Sequence, residues 1–461
     1  MEKIVSQKGK ELLLIDGQRY RQARTNADGS ISWRCVTLNC SGRLKVSRGD
    51  VINVITEHNH APNPEKNMAA VKCVAEMKVR AANCVENPRQ IIQHCSNGLA
   101  LGASVHLTTY TASQRAIERV RKRAEQPYPN PTAVADITIP AALQTTSRNA
   151  NFLLWDSGAE DPNRIFMFGT EQNLNILEQH RHWFVDGTFK VAPELFLQVF
   201  TIHALVENTC MPLVYVLLQD KSEMSYVRVF QKLLDLKITL NPISVTSDFE
   251  KAIHNAVSRV FDEVQIVGCL FHLGQSLWRR VQLCNLTEDY LNNENVRQHT
   301  KMLLSLSFVP PNDVIMAFEE LVENCPNTLD PIVDYWEDTY IGRLRRNRRG
   351  DPRFPIAIWN VYNRVADRLP RTNNSVEGWH RAFQQTLNCH HPSVYKLIDQ
   401  FKKEQDHVEI LHTRITAGIQ HPESSKRKYV QLNRRLEVLT DNYDNTAVMD
   451  YLRGISHNME I

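Results

Sequence analysis

The chain has 461 residues, which suits two to four domains, each large enough to bury a core unless a metal staples it. Its 42% hydrophobic and 23% charged residues are the proportions of a soluble globular protein; MEKIVSQKGK lacks the apolar core of a secretory signal, and no stretch is apolar enough to span a bilayer. The net charge of +3 is uneven, because residues 1–130 hold 20 Lys/Arg against 11 Asp/Glu, a balance that suits a polyanionic partner and equally a solvated basic surface.

Residues 8–64 form the first predicted domain. ELLLI, RYRQAR, SWRCV, GRLKV and VINVIT read as short strands with turns at Asp16-Gly17 and Asp28-Gly29, a small β-meander ended by Pro62 and Pro64. Within it, Cys35, Cys40, His58 and His60 stand as C-x4-C-x17-H-x-H. Two thiolates and two imidazoles offer zinc the donors of a closed structural site, and alternate strand residues face one way, so both histidines can reach one metal. About fifty residues bury too little apolar surface alone, so the metal would supply much of the folding energy. The ten cysteines are otherwise scattered, several beside histidines, which favours a reducing compartment and metal binding. Gly17, Tyr20, Trp33, Cys35, Cys40, His58 and His60 together resemble the FLYWCH zinc finger, with the leading Phe of that pattern replaced by aliphatic residues around Leu12 to Leu14. The resemblance implies binding to DNA or to protein without choosing between them.

Beyond Pro64 the period changes. MAAVKCVAEMKVRAANC reads as a helix, Pro88 opens a second, and SQRAIERVRKRAEQ makes a third. Arg115, Arg119, Arg121, Lys122 and Arg123 make the last one basic, so residues 66–126 are either a helix-turn-helix-like DNA-binding region or a solvated basic spacer. PYPNP, from Pro127 to Pro131, is a stiff boundary that opens a linker running to residue 150.

From residue 151 the pattern is α/β. Strands in HWFVDGTFK, LFLQVFTIHALV and MPLVYVLLQD precede a helix, MSYVRVFQKLLDLK; then follow a strand in ISVTSDF, a helix in EKAIHNAVSRVF and a strand in VQIVGCLFH. Three consecutive strands before the alternation predict a mixed sheet, antiparallel first and parallel later. Residues 275–368 are helical in pattern and read as an insertion between core segments 151–274 and 369–415, with a helical tail over 416–461.

Asp186 lies at the end of the first of these strands, Asp248 where a strand gives way to a helix, and Glu377 early in an amphipathic helix. Hard carboxylate oxygens at strand ends suit Mg²⁺ or Mn²⁺. Singly, each acid has a plain structural use, as turn former, helix cap or solvated residue. HWFVDGTFKVAP, SDFEKAIHNAV, CLFH and TNNSVEGWHRAF, in that order, resemble the Mutator-like (MULE) transposase domain, whose core has the ribonuclease H fold. The resemblance implies an RNase H-like core over roughly residues 180–400, with Asp186, Asp248 and Glu377 as the catalytic DDE triad and the Mg²⁺ or Mn²⁺ ligands. It matches Cys269 and His272 to a C-x-x-H element and His380 to the histidine three places after the glutamate, all supporting the active site. From the residues alone, Cys269 and His272 stay open between zinc ligands, a histidine near the scissile phosphate, and packing at a strand-to-helix junction. Asn373 and Asn374 stand where they can cap the glutamate helix. Cys389, His390 and His391 lack completing donors and read as loop.

IGRLRRNRRGDPR concentrates Arg343, Arg345, Arg346, Arg348, Arg349 and Arg353, a loop suited to gripping phosphates, to nuclear import, or to solvation alone. Trp336, Trp359 and Trp379 read as core or interface anchors. The protein expected is a nuclear transposase that binds double-stranded DNA at transposon ends as a homo-oligomer, without membrane association. It would carry structural Zn²⁺ and catalytic Mg²⁺ or Mn²⁺, and cleave and transfer DNA strands. The alternative is a host protein descended from a transposase, which binds DNA or chromatin without chemistry.

Overall fold

The computed structural model describes residues 2–5, 11–47, 50–84, 86–125, 128, 130–346, 348–387, 389, 391–419 and 427–459. His390 and the side chains of Lys122 and Arg123 lie outside the described residues. Two units divide the chain, Met1–Pro129 and Asn130–Ile461, and the division falls in the proline-rich PYPNP stretch.

In the first unit, β1 (Glu2–Val5), β2 (Glu11–Ile15), β3 (Gln18–Thr25), β4 (Ile31–Cys35), β5 (Arg43–Ser47) and β6 (Asp50–Thr56) form one sheet in chain order, antiparallel throughout. Asp16 and Gly17, at φ 44° and 73°, make the two-residue turn that pairs Ile15 with Gln18, the backbone a tight hairpin needs. Strand alternation buries Trp33 and Cys35 of β4 and Leu44 and Val46 of β5 against Leu13 and Tyr20. Four helices follow: α1 (Glu65–Asn83), α2 (Pro88–Ser96), α3 (Leu101–Ser104) and α4 (Tyr110–Glu125). Asn87 and Gln90 form a reciprocal capping box on α2, with Pro88 just inside it. Cys73, Met77, Ala81, Ile91, Cys95 and Ile117 pack the helices into a module of their own. Arg121 turns inward and donates to the carbonyls of Ala81, Cys84 and Glu86, satisfying the end of α1, whereas Arg115 and Arg119 are exposed.

The second unit starts earlier than its first strand, because Ile137, Ile139 and Leu143 are already buried and α5 (Ala141–Gln144) packs on it. Its sheet comprises β7 (Leu153–Asp156), β8 (Phe166–Phe168), β9 (His182–Thr188), β10 (Gln198–Val206), β11 (Thr209–Leu218), β12 (Ser244–Ser247) and β13 (Gln265–Gly268) in the order β13-β12-β9-β10-β11-β8-β7. β9, β10 and β11 are antiparallel neighbours, while β12 runs parallel to both β9 and β13. The mixed sheet expected from the sequence is therefore present. Helices α6 (Glu171–Gln179), α7 (Glu223–Leu236) and α8 (Lys251–Val260) share a core with Val185, Phe200, Ile202 and Val245.

An insertion follows β13: α9 (Leu270–Leu283), α10 (Thr287–Asn292), α11 (Glu294–Ser305), α12 (Val314–Glu323), α13 (Asp330–Trp336), a π-helical turn (Glu337–Ile341), the hairpin β14 (Leu344–Arg345) and β15 (Arg348–Arg349), α14 (Ile356–Trp359) and α15 (Tyr362–Ala366). The chain then returns to the sheet with α16 (Asn374–Leu387) and α17 (Val394–Thr416), and ends in α18 (Arg427–Asp441) and α19 (Val448–Ser456). These last helices are no detached tail: Leu436, Tyr451 and Leu452 join Leu303, Phe318, Trp336 and Trp359 in the insertion core. The two ends of the insertion are stitched together, Leu270 N–H donating to Arg371 O at 3.0 Å and Asn373 N–H to Cys269 Sγ at 3.1 Å. Among the described residues no helix is long and apolar enough to cross a membrane.

Candidate functional site

Cys35, Cys40, His58 and His60 converge so that one donor atom of each lies within 4.8 Å of the others. Cys35 Sγ stands 3.3 Å from His60 Nε2, and Cys40 Sγ and His60 Nε2 each stand 3.3 Å from His58 Nδ1. Ordinary Zn–S and Zn–N bonds give tetrahedral edges of about 3.3–3.8 Å, and the donors cluster on that scale, so they fit zinc. The surroundings fix which nitrogen serves. His60 Nδ1 bonds Ala61 O at 2.8 Å, and His58 Nε2 bonds Tyr20 Oη at 2.6 Å, leaving Nε2 and Nδ1 respectively for the metal. Thr37 and Gly42 donate backbone N–H groups to the two sulfurs. A side chain at Gly42 would put its Cβ 2.7 Å from the His58 ring, so only glycine lets that histidine in.

The second cluster is built on β9 and β12. Their parallel register pairs Thr246 with Phe184; two residues on, Asp248 comes level with Asp186 where β12 ends. Glu377 arrives from the first turn of α16, whose start is held by Asn373. That asparagine does not cap the helix with its side chain as expected; its Nδ2 donates to Val185 O on β9 instead, because the helix must be tied to the sheet. His272, on the first turn of α9, lies between two acids: Nδ1 is 3.3 Å from Asp248 Oδ1 and Nε2 is 3.4 Å from Glu377 Oε1. Neither contact is aligned as a hydrogen bond, so Asp248 Oδ1, Glu377 Oε1 and His272 Nδ1 are buried without one. Burial and the charge of Asp186 push the Asp248 carboxyl up to about 6. Burial alone would lower His272, but Cys269, Asp248 and Glu377 outweigh it and raise the imidazole to about 9.

The third acid has a different partner. His380 Nδ1 is 3.2 Å from Asp186 Oδ2, and its Nε2 is 3.1 Å from Thr201 Oγ1. Thr201 in turn is 3.0 Å from His203 Nε2. His203 is fully buried, and burial with His380 close by holds it well below the usual histidine range, hence neutral. Its Nδ1 has no partner, which assigns the proton to Nε2, donated to Thr201. The threonine hydroxyl donates to Asp186 O at 3.3 Å, so Thr201 ties both histidines to β9, with His380 Nδ1 facing the Asp186 carboxylate. Thr201 and His203 are absent from the sequence-derived site. Their signal is nevertheless visible in β10, where they are polar residues two apart in an apolar run. Strand alternation turns both away from Phe200 and Ile202. Opposite them, Pro212 cannot donate to the ladder, and the β10–β11 register shifts between Ile202 and His203.

Among the described residues, only the finger donors converge as a group of three or more metal-ligand side chains. The acids are linked in pairs through His272 and beside His380. Residues 182–276 match the family model of the MULE transposase domain, and residues 4–60 that of the FLYWCH zinc finger domain. The chain joins these two domains. No curated protein matches it. The MULE match takes in Asp186, Asp248, Cys269 and His272 and stops where the insertion begins, so Glu377 and His380 come to the cluster by the fold alone. The FLYWCH match ends on His60, the last of the four donors. Together the two domains point to a transposase-related, DNA-binding protein.

The basic segment of the insertion divides by role. Arg349 is drawn inward, pairing with Glu319 and Glu337 at 2.7 Å each, and Arg343 pairs with Asp338 at 2.8 Å. Arg345, Arg346 and Arg348 are exposed. Trp336 and Trp359 are core residues, and Trp379 stacks on Phe383.

Proposed function

We propose that the MULE domain is an RNase H-like nuclease core in which Asp186, Asp248 and Glu377 hold divalent cations for DNA strand cleavage and transfer. The observation that carries this reading is the pair of buried carboxylate oxygens, Asp248 Oδ1 and Glu377 Oε1, left without hydrogen bonds on either side of His272. Hard carboxylate oxygens left unpaired fit Mg²⁺ or Mn²⁺. Such ions, when bound, activate a water or 3′-hydroxyl and stabilise the leaving oxygen. The chain supplies the rest. Asp186 is oriented by His380 Nδ1, and Thr201, itself held by His203, fixes the far side of that ring. Cys269 accepts from Asn373 N–H and keeps the glutamate helix against the sheet. The strand order, with β9, β10 and β11 antiparallel and β12 and β13 parallel beyond β9, supports the RNase H-like assignment.

The FLYWCH domain and exposed Arg115 and Arg119 would recognise duplex DNA in the nucleus, with transposon ends as the target and a homo-oligomer as the acting form. The test is metal-dependent cleavage of a duplex carrying the sequences that flank the coding region. Wild-type protein should cut it with Mg²⁺ or Mn²⁺, and Asp186→Ala should lower the rate by at least about a hundredfold. DNA binding with no cleavage by the wild type would favour a captured, non-catalytic regulator.

A further inference from the structure

We propose that the β14–β15 hairpin is a second DNA contact, in which Arg345, Arg346 and Arg348 take the phosphates of a duplex while Arg343 and Arg349 fix the hairpin's base. The inference rests on the DNA-acting reading above but on different residues. Six arginines lie between residues 343 and 353, and the fold does not use them alike. Arg349 bridges Glu319 and Glu337, also donates to Gly342 O at 2.8 Å, and lies over the Phe318 ring. Arg343 reaches Asp334 and Asp338, and Arg353 lies over Phe354. Gly342, at φ 92°, lets the strands close, since a Cβ there would meet Gly350 O at 1.9 Å. Backbone and ion pairs thus pin the base.

At the tip the logic reverses. Arg345 is the cross-strand partner of Arg348, and Arg346 occupies the turn at φ 46°. Like charges directly opposite each other on a hairpin repel, and among the described residues none of these three meets a carboxylate. The fold therefore spends its acidic partners on the base and leaves three guanidinium groups together, exposed. A polyanion relieves that repulsion, and guanidinium is well matched to phosphate oxygens. A two-stranded ribbon is also narrow enough to lie along a DNA groove between phosphates. Nuclear import carriers, by contrast, would need the segment as a free extended chain, which a pinned hairpin does not offer.

The experiment uses the full-length, zinc-loaded protein and a random-sequence duplex, with affinity measured across a salt series. Each lost phosphate contact lowers the slope of log K against log salt by about 0.9, so R345A/R346A/R348A should lower it by about 2 to 3 and weaken low-salt binding by about tenfold or more. The triple lysine variant keeps the charge and should retain most of the slope. Thermal unfolding should be unchanged in both, whereas R349A should lower it. An unchanged slope in the triple alanine variant, while Cys35→Ser still weakens binding, overturns the hairpin contact and leaves the DNA reading intact. Loss of binding to a nuclear import carrier with unaltered DNA binding overturns it in favour of an import signal. Failure of the wild type to bind any duplex overturns both.

Discussion

At Asp248, burial and the neighbouring Asp186 raise the carboxyl to about 6, while His272 rises to about 9 through its contacts with Cys269, Asp248 and Glu377. A carboxyl whose folded-state value exceeds that of the unfolded chain keeps its full contribution below about pH 4, and loses it as pH climbs through the folded value. A histidine raised in the fold contributes fully below about pH 6.5 and loses that contribution as pH approaches the folded value. Both slopes run the same way. Buried neutral His203 slopes the other way, so the test is the comparison with Asp248→Asn: in the metal-free protein, wild type should lose thermal stability relative to that variant from about pH 4 to pH 6. Mg²⁺ should raise the melting temperature more at about pH 8 than at about pH 5, because protons and metal compete for the same oxygens. A difference between wild type and Asp248→Asn that stays constant from about pH 4 to pH 6 contradicts the raised carboxyl. Thr201 makes a second prediction. Thr201→Val keeps the shape but leaves two histidine nitrogens unpaired, so cleavage or metal affinity should fall about 10- to 100-fold, by the usual size of such outer contacts. Calorimetric titration with Mn²⁺ alongside single-turnover cleavage checks it; unchanged values in both would remove Thr201 from the account.

Elements differ in how much the sequence betrays them. The strands of both sheets are legible because period and turn chemistry agree, as at Asp16-Gly17. The cysteine–histidine set is legible because spacing alone suffices for zinc, whereas the acids become a cluster only when β9 and β12 align and α16 returns after the insertion. Nothing in the local pattern near Glu377 says that Asn373 and Cys269 will bring it back to Asp248. Tertiary packing likewise hides the fates of Arg121 and Arg349, which look like their solvated neighbours in sequence but satisfy carbonyls and carboxylates in the fold. The same holds for α18 and α19, whose apolar faces find their partner in the insertion. For the finger, a core of Leu13, Tyr20, Trp33, Leu44 and Val46 around the ligands is too small to hold a six-stranded sheet alone. Zinc chelation should abolish the unfolding transition of this sheet, a loss on the order of 10 kcal/mol, and leave that of the second unit in place. Differential scanning calorimetry with and without chelator reads this directly, and a finger transition that survives complete zinc removal would refute it.

For the whole molecule, charge and chemistry are segregated. Residues 1–130 carry the basic excess and the zinc donors, and the later residues carry the acids, their histidines and the arginine hairpin. That arrangement predicts separable defects: Cys35→Ser should weaken DNA binding without changing Mn²⁺ binding by the acids, and Asp186→Ala should do the converse, as gel-shift and calorimetric assays would show. Equal losses in both assays from either variant would argue against the division. Cleavage by this site requires that carboxylate oxygens at Asp186 ligate the ion. The most direct measurement replaces that oxygen donor with sulfur and compares metals. Asp186→Cys should cut its flanking-end duplex poorly with Mg²⁺ and recover with thiophilic Mn²⁺, since hard and softer ions differ in their tolerance of a thiolate. Cleavage by Asp186→Cys as fast as wild type in Mg²⁺ would contradict it.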